Sequence, residues 1–146
     1  YKGFELSTLF SWQSGANKVD NLEYFMENPV GFLSGGYNQA NTLRFWQKPG
    51  DIVSTPSPLY GVNFSSKIIH NADFLRWRDL MVSYSLPASV TGRIKFISNA
   101  RVYVQGTNLM IWTNWRGMDP EGGAVNINLS EFPNPKGITA GLDITF

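Results

Sequence analysis

Four stretches of this chain alternate apolar and polar residues over unusual lengths. They lie near residues 1–12, 74–86, 100–112 and 137–146. Because successive side chains of a β-strand point to opposite faces, strict alternation predicts strands with one apolar and one polar face. Ordinary strands average about 5–6 residues, whereas a tilted strand that crosses a bilayer needs about 9–11. The lengths therefore favour strands of membrane-spanning size.

The closing stretch, GITAGLDITF, gives the clearest alternation. Its even-numbered positions are apolar and its odd-numbered positions are small or polar. The pattern predicts a strand with an apolar face formed by Ile138, Ala140, Leu142, Ile144 and Phe146.

The third stretch contains a conflict at its centre. Continued alternation would place Asn108 on the apolar face and would leave Leu109 and Ile111 on the polar face. A β-bulge near Gly106–Asn108 would move Leu109 and Ile111 to the apolar face. The sequence leaves open whether such a bulge is present.

The connections between the predicted strands differ greatly in length. Residues 13–73 and 113–136 form two long connections, and about a dozen residues separate the second and third strands. Within the first connection, NLEYFMENP predicts one or two helical turns that end before Pro29. Outer-membrane barrels combine short periplasmic turns with long extracellular loops, and this alternation of lengths is typical of them.

Composition narrows the range of functions. The 146 residues contain no cysteine, which excludes disulfides and thiolate metal sites, and the net charge of +1 indicates no preference for nucleic acid.

The alternation of apolar and polar residues is compatible with three structures: a membrane barrel with TonB coupling, a porin-like barrel without it, or a soluble β-sandwich that binds carbohydrate or protein. Four strands cannot close a barrel, so the barrel interpretation predicts a fragment of a longer protein, as the start at Tyr1 within a strand pattern also suggests.

Three strings in the second half resemble SusC/RagA-type TonB-dependent transporters of Bacteroidetes. FLRWRDLMVSYSLP (74–87) is similar to a family strand that ends in Tyr-x-Leu-Pro, although Trp77, Asp79 and Ser83 depart from the common Leu, Asn and Gly. ARVYVQGTNLMIWTNWRGMDPEGG (100–123) resembles the next strand and loop, and FPNPKGITAGLDITF (132–146) resembles the family's ending. The first half matches less well, with NTLRFWQKPGD (41–51) at the place of a Pro-rich extracellular segment.

The resemblance implies an all-β, antiparallel transmembrane β-barrel, of which residues 1–146 are the last strands out of roughly 22. It implies active import of glycans or peptides across the outer membrane of a Gram-negative bacterium, with the C-terminus on the periplasmic side. The expected partners are a SusD-like surface lipoprotein that acts as a lid, TonB through a plug region absent from this chain, the barrel-assembly machinery and outer-membrane lipids. No nucleic acid, cofactor or enzymatic activity is expected.

Candidate site residues follow from these expectations. Ile138, Leu142, Ile144 and Phe146 are predicted to form a lipid face and a barrel-assembly signal. Loop aromatics are candidates for stacking on substrate, namely Trp46, Tyr60 and Trp115. Arg76 and Arg78 share parity with Leu80, which suggests contact with lipopolysaccharide phosphates just outside the apolar band.

Other polar residues predict no chemistry. Asp119 and Glu121 raise the idea of paired catalytic carboxylates, but Asp-Pro-Glu-Gly-Gly is more simply a turn. The same stretch holds too few oxygen ligands for calcium. His70 is the one histidine of the sequence, so neither a zinc site nor a catalytic triad is predicted around it.

Overall fold

The structure is a computed structural model that describes residues 2–27, 44–57, 59–60, 64–93, 96–123, 127–128 and 132–146. Tyr1, Pro29 and residues 41–43 of the Pro-rich segment lie outside these residues. The elements in chain order are β1 (Phe4–Gln13), β2 (Asn17–Asp20), α1 (Asn21–Met26), a 3-10 helix (Ser66–Ile68), β3 (Ile69–Asn71), β4 (Phe74–Ser85), α2 (Ala88–Thr91), β5 (Asn99–Thr113), β6 (Ile127–Asn128) and β7 (Gly137–Thr145).

The chain divides into two units. The first comprises Tyr1–Ser14, Phe74–Thr113 and Asn134–Phe146, and the second comprises Gly15–Asp73 and Asn114–Pro133. The two long predicted connections therefore contribute a compact unit.

The first unit is an antiparallel sheet in the order β1-β4-β5-β7. Its strands contain 10, 12, 15 and 9 residues. Each lies within a few residues of one of the four alternating stretches. Each strand of the sheet therefore has about the length that a bilayer crossing requires.

The register brings the apolar positions of neighbouring strands directly opposite one another. Leu6 pairs with Val82, Val82 with Val104, and Val104 with Ala140. The next row towards the chain termini consists of Phe4, Tyr84, Val102 and Leu142. Directly opposed residues of a sheet share a face, so the four separate apolar patterns merge into one continuous apolar face.

A bulge interrupts the sheet at one level. Between two neighbouring rows of paired residues, β1 has one residue, Leu9, whereas β4 has Arg78 and Asp79. At the same level β5 has three residues, 107–109. At this level β4 therefore carries one residue more than β1, and β5 carries one more than β4. Asn108, in the longer stretch of β5, adopts a left-handed conformation with φ of 51°.

The bulge changes which residues share the apolar face. Trp77 pairs with Phe10 and Met110, so these three lie on that face. Leu109 reaches the same face, because its side chain fills the space beside Gly106, 2.7 Å from where a Cβ of residue 106 would lie. Ile111 pairs with Arg76 on the opposite face. The predicted bulge is present, but the expectation that it would turn Ile111 to the apolar face is wrong.

The second unit contains a small sheet in the order β3-β2-β6, with β2 antiparallel to β3 and parallel to β6. Asp20 ends β2 and caps α1, its Oδ1 accepting hydrogen bonds from the amides of Leu22 (3.1 Å) and Glu23 (3.2 Å). Ile68 and Ala72 are both 1% exposed and form part of the core of this unit. The helix predicted in NLEYFMENP is confirmed as α1.

Asn108 supplies a test of the bulge. Its side-chain amide donates to the carbonyl of Pro135 at 3.0 Å, which links the bulge to the segment before β7. Asn108→Ala loses this bond. It also places alanine, whose side chain cannot form a local hydrogen bond, in the left-handed region, at a cost of about 1–2 kcal/mol. Asn108→Gly loses the bond but accepts the backbone conformation. We expect the alanine variant of the full-length protein to unfold at lower denaturant concentration than the glycine variant. Equal midpoints would contradict the role of the left-handed conformation.

Candidate functional site

The apolar face of the first unit is exposed. Leu6 is 70% exposed, Val104 is 53% exposed and Ile138 is 84% exposed. A soluble monomer rarely exposes an apolar surface that continues across several strands. The other large apolar side chains exposed on the same face are Phe4, Phe10, Trp12, Leu75, Val82, Val102, Met110, Trp112, Leu142 and Ile144.

Aromatic residues lie at both ends of this face. Phe4 and Tyr84 are in contact near the chain termini, with ring centroids 4.6 Å apart. Trp12 and Trp112 mark the opposite end, where both lie at the level of Leu75. From Phe4 to Trp12 the strand rises about 26 Å, which is close to the apolar band of about 25 Å in outer-membrane barrels before strand tilt is considered. The spacing agrees with two interfacial girdles of aromatic side chains.

Polar groups on the apolar face are satisfied internally. The hydroxyl of Thr8 donates to the carbonyl of Asp79 at 2.9 Å. The indole of Trp77 donates to the Thr8 hydroxyl at 2.8 Å and lies 3.1 Å from the same carbonyl. An unpaired carbonyl facing hydrocarbon would cost several kcal/mol. These two side chains therefore allow the bulge to lie within an apolar surface, and Trp77 also stacks on Phe10 with a centroid distance of 5.6 Å.

The opposite face is polar and carries an ion cluster. Arg101 donates to Asp143 Oδ2 from Nη2 (2.7 Å) and Nε (3.1 Å). Its Nη1 lies 3.5 Å from Glu5 Oε2, and Ser83 donates to the same Glu5 oxygen at 3.4 Å. Arg101 thus reaches from β5 across β4 to β1 and also pairs with β7. Solvent screens the partly exposed ion pairs and weakens each of them, but together the contacts of this cluster link all four strands.

Two further contacts order the polar face. Gln105 donates to Asp79 Oδ2 at 2.5 Å, which holds the carboxylate next to the bulge. The ring of Tyr103 covers Gly141, where an added Cβ would lie only 2.4 Å from the ring atoms. This glycine is therefore required by the close approach of the aromatic ring.

The predicted orientation of Arg76 and Arg78 is wrong. The bulge inverts the parity of β4, and Arg76 pairs with Ser11 on the polar face. Arg76 is only 4% exposed, and Arg78 Nε donates to the Ser11 hydroxyl at 2.7 Å. Parity with Leu80 was the reason for expecting lipopolysaccharide contact, and the structure removes that reason.

The three candidate stacking aromatics differ in exposure. Trp46 is 37% exposed and Tyr60 is 69% exposed, so both rings have free surface. Trp115 is 6% exposed and lies edge-on to His70 at a centroid distance of 6.4 Å. This burial leaves little of the ring surface for stacking, and a contact of Trp115 with substrate stays a prediction. No local sequence pattern indicates the burial, because the partner ring is 45 positions away in the chain.

The second unit contains polar contacts that sequence reasoning missed. Glu23 and Glu27 lie one turn apart at α1 and pair with His70 and Lys67 respectively. These contacts with distant parts of the chain hold a short helix that has little intrinsic stability. The sequence signal for these pairs is the i, i+4 spacing of Glu23 and Glu27, matched by Lys67 and His70 three positions apart.

The Asp-Pro-Glu-Gly-Gly segment is a turn, as predicted. Asp119 is 7% exposed, and its Oδ1 accepts a hydrogen bond from the amide of Glu121 at 2.9 Å. The ammonium of Lys18 donates to the carbonyl of Gly122 and anchors the turn to β2. Among the described residues, no group of three or more His, Asp or Glu side chains is arranged to hold a metal ion.

Asp73 closes the second unit just before β4. The side chain of Asn71 and the amide of Ala16 donate to its carboxylate, and these hydrogen bonds lower the pKa of Asp73. The Ala16 amide lies 2.8 Å from Oδ1, and the amide of Ala72 donates to the Ala16 carbonyl at 2.8 Å. The carboxylate therefore holds together the two chain segments that enter and leave this unit.

The last strand exposes the residues proposed for barrel assembly. Phe146 is 86% exposed, Leu142 is 56% exposed and Ile144 is 41% exposed. Within the described residues, β7 pairs only with β5 and β1 pairs only with β4. Each of these outer strands therefore has one edge of backbone groups directed away from the sheet.

Comparison with known proteins found relatives along the whole chain. TonB-dependent receptor P26 of Formosa agariphila is 30% identical over 161 aligned positions, which cover 100% of this chain and 16% of the relative. TonB-dependent receptor P3 of the same organism is 26% identical and is covered to 15%. The chain thus spans about one sixth of the length of the curated relatives that it matches. A comparison with protein-family profiles found no match.

Solved structures agree with these relatives. The RagAB peptide importer in its open-open state is 31% identical to this chain, with a TM-score of 0.87 over 100% of the chain and 16% of the matched protein. The closed-closed state of the same importer matches with a TM-score of 0.86. No helix in the part of the chain that the structure describes has the length and apolar character needed to span a bilayer. The resemblance drawn from the three motifs is confirmed.

Tyr103 and Gly141 provide a test of the polar face. Gly141→Ala would force the ring of Tyr103 away from the sheet, since the new Cβ would lie 2.4 Å from ring atoms. We expect destabilisation by about 1–3 kcal/mol, the usual cost of overpacking. Tyr103→Ala should lose ring packing alone, and the double variant should be little worse than Tyr103→Ala. Additive losses in denaturant unfolding of the full-length protein would show that the two residues do not interact.

Proposed function

We propose that this chain, a segment related over its whole length to TonB-dependent receptors, forms part of the wall and extracellular loops of an outer-membrane importer. The relatives carry the names of receptors and transporters, and none of the names is that of an enzyme. The proposed activity is active import coupled to TonB. In this proposal, the four-stranded sheet is the last part of a closed barrel of roughly 22 strands.

The observation that carries this proposal is the pair of unlike faces on one sheet. One face is apolar, exposed and bounded at both ends by aromatic residues, and the other carries charges and hydrogen bonds. Lipid would cover the first face and the polar lumen the second. A soluble β-sandwich would instead bury the apolar face against a second sheet, and the exposure of Leu6 and Ile138 argues against that alternative.

The open edges of β1 and β7 support the idea of a larger barrel. Unpaired backbone groups in hydrocarbon are too costly to leave at the edge of a sheet. We propose that further strands of the same protein pair with both edges, and that β7 seals the seam. Ile138, Leu142, Ile144 and Phe146 would then be read by the barrel-assembly machinery before they face lipid.

The proposed orientation follows from the lengths of the connections. The short connection between β4 and β5 and the end of β7 lie at the same end of the sheet, which we assign to the periplasm. The segments 15–73 and 114–133 connect strands at the opposite end of the sheet from the β4–β5 connection. They would form extracellular structure, where Trp46 and Tyr60 are available to substrate or lid.

We further propose peptides or glycans as cargo and a SusD-like surface lipoprotein as the lid. Support for peptides comes from the matched solved structures, which are described as a peptide importer. TonB would act through a plug region elsewhere in the full protein. The non-TonB porin is the alternative that this part of the proposal must be tested against.

Two experiments test the proposal on the full-length protein. Outer-membrane fractions should retain the protein through an alkaline wash, and the protein should change its gel mobility on boiling; loss in the wash would favour the soluble alternative. Uptake of labelled oligopeptides or oligosaccharides by cells should stop when TonB is deleted. Uptake that continues without TonB would favour the porin, and the label that enters identifies the cargo class.

The two faces predict a contrast between adjacent substitutions in β1. Leu6→Arg places a charge on the apolar face, where the cost approaches about 2–4 kcal/mol at the bilayer midplane and falls near the interfaces. Ser7→Arg, one position along, places the same charge on the polar face and should be nearly neutral. Both residues are exposed in the sheet, so neither change creates a clash. Unfolding of the full-length protein from lipid vesicles measures the difference, and equal stabilities would argue against a lipid-facing Leu6.

A further inference from the structure

The connection between β4 and β5 presents apolar side chains to solvent at the end of the sheet. It contains α2 and runs from Leu86 to Ser98. Val90 is 45% exposed and Phe96 is 80% exposed. Exposed apolar side chains that adjoin a larger apolar face can mark a contact with a membrane.

Hydrogen bonds hold both ends of this connection to the sheet. The amide of Leu86 donates to the carbonyl of Ala100 at 2.9 Å. The amide and the hydroxyl of Ser98 donate to the carbonyl of Thr145 at 2.8 Å and 3.0 Å. The exposed side chains are therefore presented from a base that is fixed to β5 and β7.

Outside the ion cluster around Arg101, the charged residues at this end of the sheet are basic. The stretch PASVTGRIKFIS (87–98) contains two basic residues and no acidic residue. Arg93 is exposed in this stretch, and Lys2 is exposed just before β1. Glu5 and Asp143, the nearest acidic residues in the sheet, are both engaged by Arg101 on the polar face.

The connection continues directly from the apolar face. Tyr84 lies two residues before Leu86 and, with Phe4, forms the aromatic row at this end. Phe146 is 86% exposed in the same region of the sheet, after the last pair of β7. The apolar face is followed by the aromatic row and then by the basic connection. This order matches that of acyl chains, headgroup boundary and phosphates along a bilayer normal.

We propose that this connection anchors the sheet to anionic phospholipid headgroups on the periplasmic side of the membrane. Val90 and Phe96 enter the boundary between acyl chains and headgroups, and Arg93 binds a headgroup phosphate. The inference rests on the proposed function, which supplies both the membrane and the orientation of the sheet. It adds a defined lipid class and a defined contact surface.

Lipid retention on the purified full-length receptor tests the anchor. The receptor is inserted into vesicles of phosphatidylcholine mixed with phosphatidylglycerol and extracted, and bound lipids are counted by native mass spectrometry. We expect phosphatidylglycerol to be enriched over its share of the vesicle. Arg93→Gln should lower that enrichment by about fivefold, the factor expected for one basic residue at an anionic surface, and Arg93→Lys should retain it.

Matched variants separate the anchor from general effects of charge. Lys136→Gln removes one positive charge just before β7, at the level of the bulge and away from the connection, and should leave the enrichment unchanged. Phe96→Ser should lower retention of both lipids, because it removes the apolar insertion rather than the phosphate contact. Equal phosphatidylglycerol enrichment in the wild type and Arg93→Gln would overturn the proposal, as would an equal loss in Lys136→Gln.

The outcome also distinguishes this inference from the proposed function. A receptor that an alkaline wash removes from the vesicles refutes both. A receptor that stays inserted but shows no preference for phosphatidylglycerol refutes the anchor alone.

Discussion

The pairing of backbone groups across β1, β4, β5 and β7 is the interaction on which the rest of this structure depends. In an apolar medium a strand is stable only when its amides and carbonyls are bonded to neighbouring strands. Once the register satisfies that requirement, direct opposition fixes which side chains share a face. The exposed apolar face, the two aromatic rows and the ion cluster around Arg101 all follow from this one alignment. The second unit, whose strands are short, relies instead on helix capping and on ion pairs such as Glu27–Lys67.

Sequence alternation predicts the four long strands because period 2 is a local property that each strand displays by itself. It fails for Arg76 and Arg78 because an extra residue inverts parity without leaving a mark in the apolar pattern. Only Asn108, a residue tolerant of the left-handed region, indicates where the extra residues enter β5. The burial of Trp115 and the pairing of β2 with β6 depend on contacts between distant parts of the chain, and no local pattern encodes them.

The family resemblance and the physical pattern carry different information. The strings within 74–146 identified the relatives, yet they say little about which faces the side chains take. Alternation predicted the faces on the terminal side of the bulge and misassigned Arg76, Arg78 and Ile111 of β4 and β5 beyond it. The hydrogen bonds of Thr8 and Trp77 to the Asp79 carbonyl explain how one sheet tolerates the change of parity at the bulge.

The bulge has a geometric consequence for any barrel that contains this sheet. Stagger between neighbouring strands determines their tilt and the barrel's radius. Because β4 gains one residue on β1 and β5 gains one on β4 at a single level, the stagger differs on the two sides of that level. In the barrel proposed above, the wall on the side of the chain termini and the wall beyond the bulge would therefore differ in strand tilt and in width. Because residues on both sides of the bulge belong to the apolar face, this change would fall inside the proposed membrane span and not at its border.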